Sequence, residues 1–108
     1  MPTALAPNLL MNVKLNVIDC NIVLDSCRTA ARLMLQQCEE MAKAGHADVA
    51  EQVRDGTLAH FGNVQRAMIR AGLSPAACTY LDGGKMTPNS FNSIRAEAGL
   101  DEWPASEF

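Results

Sequence analysis

Three cysteines, Cys20, Cys27 and Cys38, are separated by steps of seven and eleven residues. On a helix those steps place all three thiols on one face, with Met34 and Met41 beside them. Soft sulfur ligands lined up inside a helical bundle suit copper(I). At 1.5 Å of rise per residue the thiols stand ~10–16 Å apart along the axis, so a shared ion needs further thiols from partner helices. The alternative is that they are reduced thiols packed as small hydrophobes. No ligand set for a metal is assigned, and no cofactor is implied.

The other reactive side chains assemble no catalytic pattern. His46 follows a glycine that stops a helix, and His60 sits beside Phe61; neither has a carboxylate or thiol at ligand spacing. No nucleophile stands next to a base, and Asp82-Gly83-Gly84-Lys85 is too short for a phosphate loop. The chain does not read as an enzyme.

Charge gives a second kind of chemistry. The net charge of −3 excludes a strongly basic nucleic-acid surface. Residues 60–98 nevertheless carry Arg66, Arg70, Lys85 and Arg95 against Asp82 and Glu97. Arg66, Arg70 and Lys85, with the hydroxyls of Thr79 and Tyr80, form a set able to contact phosphate.

These residues need elements to hold them, and the patterning is helical. Nearly half of the 108 residues are apolar and few are aromatic, so Ala, Leu, Val and Met must fill the core of one domain. From Val13 the series Val13, Val17, Cys20, Leu24, Cys27, Ala31, Met34, Cys38, Met41 alternates steps of four and three, a helix seam. It predicts a helix from about Leu10 or Asn12 to the stop at Gly45. Val13, Leu15 and Val17 alternating with Lys14 and Asn16 also fit a strand, which in a dimer would give a ribbon-helix-helix.

A second helical series runs Val49, Val53, Thr57, Phe61, Val64, Met68, Ala71, antiparallel to the first. Gly56 and Gly62 interrupt it, marking either a break near Asp55-Gly56-Thr57 or a close approach between helices. Ser74-Pro75 predicts a short helix ending at Leu81, and Thr87-Pro88 another ending at Ala98 before Gly99. Asp101–Phe108 reads as an acidic tail. The expected fold is all-α: a helical hairpin (10–71), two short helices in a helix-turn-helix-like unit (64–98) and a tail (99–108).

The run from Ala67 and Ala71 through Gly72-Leu73-Ser74-Pro75, Cys78 and Leu81 to Gly83-Gly84-Lys85 and Thr87-Pro88 resembles the helix-turn-helix of the Cro/C1-type repressor family. The resemblance covers residues 64–98. It implies a small DNA-binding transcriptional regulator, with Arg66, Arg70, Thr79, Tyr80 and Lys85 at the DNA. Met68 departs from the family's usual alanine. The outward positions Ala76, Ala77, Thr79 and Tyr80 hold none of the residues that usually read bases, so backbone contact is what it implies.

A rival reading is a protein-binding adaptor or inhibitor. Ile18 and Ile22 lie opposite the seam, and Trp103 and Phe108 occupy the tail; all four are interface residue types. Apolar surface all round residues 15–24 exceeds what one hairpin partner covers, so a homodimer forming a four-helix bundle is expected. No run approaches the ~20 apolar residues that span a bilayer, and no signal peptide is recognisable. A cytoplasmic protein is expected, with DNA or a protein as partner and no membrane.

Overall fold

The structure is a computed structural model that describes residues 14–108. Three α-helices carry it: α1 (Val17–Lys43), α2 (Ala47–Arg70) and α3 (Pro88–Glu97). Single 3-10 turns occur at Pro75–Ala77 and Ala105–Glu107. The described residues contain no strand, only an isolated antiparallel bridge between Thr79 and Lys85. The all-α hairpin predicted from the two apolar series is therefore present.

Local chemistry fixes the ends. Asn16 caps α1 by accepting from the Asp19 amide at 2.8 Å, so the helix starts at Val17, later than Leu10 or Asn12. Lys14 to Asn16 are not in a strand, and Val17 is already helical; Val13 and the residues before it lie outside the described part. All three helices finish alike. After α1, Gly45 turns to φ 94° while its amide donates to Ala42 and the His46 amide donates to Met41. Gly72 and Gly99 repeat that pair of bonds with Leu73 and Leu100. Each is a Schellman motif, in which a left-handed glycine lets the last carbonyls find donors.

The second helix is unbroken. Neither Gly56 nor Gly62 interrupts it, and Thr57 caps nothing: its hydroxyl donates to the Val53 carbonyl one turn back. Nor do these glycines mark close approach, because a Cβ added at either meets nothing within 4 Å. The buried line also differs from the predicted one. Ala50, Phe61, Gln65 and Ile69 are buried, whereas Val49 is 52% exposed. Near its C-terminus α2 faces the 73–78 segment and α3 as well as α1, so its buried sector is wider there and takes in Ile69.

The core gathers at the open end of the hairpin, where Leu24 and Ala31 of α1 meet Phe61 and Ile69 of α2. Leu73, Cys78 and Phe91 complete it. At the Gly45 end only Cys38 and Ala50 are buried. The radius of gyration is 16.4 Å, against about 13 Å for a rounded domain of this size. The excess is the long hairpin, and it leaves helix surface uncovered.

Candidate functional site

The inner face of α1 follows the predicted seam: Leu24, Ala31 and Cys38 are buried, and Cys20, Cys27 and Met41 half-buried. Two seam residues depart from it: Val17 is 67% exposed and Met34 39%. The opposite face is apolar too, and bare. Ile18 is 71% exposed, Ile22 58% and Leu33 56%, with Leu15 alongside. Between Ile22 and Leu33 lie the small residues Ser26, Thr29 and Ala30, which leave a depression of about 520 Å³. Beside this stripe, Met34 and Ala30 border an apolar hollow of about 390 Å³ between α1 and α2. Gly56 lines that hollow, and a methyl group there would enter open space.

The 75–81 segment is one turn followed by extended chain, not the predicted helix to Leu81. Cys78 at its end is already extended, and Thr79 bridges to Lys85. Two arginines one turn apart on α1 hold the segment by its carbonyls. Arg28 Nη2 donates to Ala77 at 3.1 Å, and Arg32 Nε to Leu81 at 3.4 Å. Arg28 is mostly buried, with its guanidinium 5.7 Å from the centre of the Phe61 ring and an ion pair to Asp25. Carbonyls engaged this way are not closing helical turns with amides ahead of them. The spacing of four, which sets Arg28 and Arg32 one above the other on α1, was the available sign that they act together.

The tail folds back as well. Trp103 and Asn92 exchange two hydrogen bonds, from the Trp103 amide to Asn92 Oδ1 at 2.7 Å and from Asn92 Nδ2 to the Trp103 carbonyl at 3.2 Å. The indole meets Phe91 edge-on at 6.2 Å between ring centres, and Phe108 meets Phe91 edge-on at 5.4 Å. Arg95 stacks on the indole and donates to the Asp101 carbonyl. Trp103 and Phe108, expected as outward anchors, are half-buried and close the core instead. Burying two aromatics on Phe91 outweighs leaving them in water.

The basic set is scattered by the fold. Arg70 pairs with Glu97 at 2.9 Å. Arg66 and Tyr80 both line an open cleft of about 940 Å³ between α2, the 80–82 turn and α3. Its floor is apolar, with Leu58, Leu81 and Ile94, and Glu97 and Asp82 put acid on its rim. Gln65 also lines it, and its buried Oε1 has no hydrogen-bond partner in the structure. Thr79 is half-buried across from exposed Lys85. Among the described residues, Arg66 and Lys85 form no ion pair.

The described residues hold no group of three or more His, Cys, Asp or Glu placed for a metal ion. All four cysteines are free. Burial pushes the Cys78 thiol up to about 11, with nearby Arg28 pulling it back only partly. Its Sγ donates to the Ser74 carbonyl at 3.4 Å, so Cys78 is a packed thiol, not a nucleophile. His46 and His60 are exposed, His60 on the rim of the apolar hollow. Among the described residues no helix is long and apolar enough to cross a membrane.

Comparison with protein-family models, with curated proteins and with solved structures finds no match. The functional reading rests on the geometry of the chain itself.

Proposed function

We propose that this chain is a helical interaction module that engages another protein through the outer face of α1. One observation carries the reading: Ile18, Ile22 and Leu33 stand more than half exposed on one stripe of one helix. Scattered apolar residues on a surface are ordinary, but an aligned set continuous with an apolar hollow marks an interface. Trp103 and Phe108 support the module from inside instead of contacting the partner. The test is affinity capture by the full chain, compared with Ile18→Glu/Ile22→Glu and with Trp103→Phe. Loss of bound protein with the first variant only is expected; equal capture by all three would defeat the reading.

DNA contact is the second reading, favoured by exposed Arg66 and Tyr80 on the cleft and by exposed Lys85 across from Thr79. Without a helix over 75–81, such contact falls on the phosphate backbone. A fluorescence-anisotropy titration with random duplex DNA at low and raised salt decides it. Steeply salt-dependent binding that weakens in Arg66→Ala and Lys85→Ala supports a regulator; no binding at low salt removes it.

A further inference from the structure

Between Ile22 and Leu33 the α1 stripe has an internal symmetry, with Ile18 lying beyond it. Its outward residues run Ile22, Ser26, Thr29, Leu33, with steps of four, three and four. Read from either end, the order is large, small, small, large. Ile22 and Leu33 project, and the depression between them is lined by Ser26, Thr29 and Ala30. A surface that reads the same in both directions complements a copy of itself turned end for end. That is the requirement of a two-fold interface, where one patch meets its own image.

We propose that the partner on this face is a second copy of the chain, with the two α1 helices packed antiparallel about a two-fold axis midway between Ser26 and Thr29. This rests on the reading of α1 as an interaction face and names its occupant. In that register Ile22 of one copy meets Leu33 of the other, ~16 Å from its symmetry mate along the helix. Ser26 faces Thr29, and these small side chains let the helix axes come close.

Charge fits the same arrangement. Asp25 and Arg32 lie on one flank of the stripe, seven residues and two turns apart. In an antiparallel two-fold pair each flank meets its own image, so Asp25 comes beside Arg32 of the other copy, within about one residue pair of level. The pair occurs twice by symmetry. The Asp25 side chain is 72% exposed despite its bond to Arg28, so its carboxylate has room for a second donor. In a parallel two-fold pair this flank would meet the opposite flank of the other helix, and Asp25 and Arg32 would not come together.

Sedimentation velocity of the full chain over a range of concentrations tests this, with circular dichroism confirming that each variant keeps its helices. The wild type is expected to show a monomer–dimer equilibrium, and Ser26→Arg to remove the dimer. Asp25→Arg and Arg32→Asp are each expected to weaken dimerisation about tenfold, because the symmetry removes two exposed pairs at once. The double swap Asp25→Arg/Arg32→Asp restores it. A monomer at every concentration overturns the proposal, as does a dimer indifferent to Ser26→Arg or one that the double swap fails to rescue. If the chain stays monomeric while Ile18→Glu/Ile22→Glu still abolishes capture of another protein, the interaction module stands and only its occupant is wrong.

Discussion

Two regions of this molecule hold apolar residues of the same kinds and treat them oppositely. In the C-terminal corner, Ile69 and Phe91 are fully buried, Cys78 and Leu73 nearly so, and the chain bends back to cover Phe91 with Trp103 and Phe108. Along the outer stripe of α1, Ile18, Ile22 and Leu33 meet solvent. The corner has three segments arriving from different directions, while the outer side of α1 has none. Covered residues keep the chain folded; uncovered ones are available to another chain.

The contrast is sharpest at Phe91. Phe91→Ala empties the centre of the corner and is expected to cost about 3–5 kcal/mol in chemical denaturation, whereas Ile18→Ser on bare α1 is expected to change monomer stability by less than ~0.5 kcal/mol. Comparable losses would mean that the stripe is covered in the monomer. Next in size is the alkaline limb of stability. The Cys78 thiol ionises less readily folded than unfolded, at about 11 against 9.0. Its contribution is complete below pH 9 and is lost as pH rises toward 11, by ~2–3 kcal/mol. A Cys78→Ala chain lacks that decline, so parallel pH curves for the two proteins would contradict the buried-thiol account. Gly56→Ala is expected to stabilise the fold by roughly 1 kcal/mol through helix propensity, read as a higher melting midpoint, since the added methyl enters the open hollow; destabilisation would show that the hollow is filled. Small as well is Glu97→Gln, where breaking the exposed pair with Arg70 should cost under ~1 kcal/mol.

Much of the frame was legible in the residues. The four-three alternation found the inner face of α1, Gly45 located the turn, and Thr87-Pro88 with Gly99 bounded α3 almost to the residue. Those signals are local: a cap, a stop and a period need only neighbours in sequence. Ser74-Pro75 misled because a start signal opens a turn but does not extend it. There the chain turns extended at Cys78, and the Ala77 and Leu81 carbonyls meet Arg28 and Arg32, 49 residues away in both hydrogen bonds. The aromatic end misled for a similar reason, since Asn92 and Phe91 had to be in place before Trp103 could be seen as covered. Ile18 and Ile22 were legible as outward-facing from helical phase alone. The symmetry of the stripe shows only in the folded helix, where the small residues between Ile22 and Leu33 leave a depression.

Trp103 is the only tryptophan in the chain, and it sits edge-on to Phe91 beneath Arg95. Its intrinsic fluorescence is therefore a private reporter of the C-terminal corner, while far-ultraviolet dichroism is dominated by the two long helices. Melting curves recorded both ways ask whether the corner and the hairpin unfold as one cooperative unit or two. If the emission shifts before helicity is lost, the corner undocks first and leaves the hairpin standing alone.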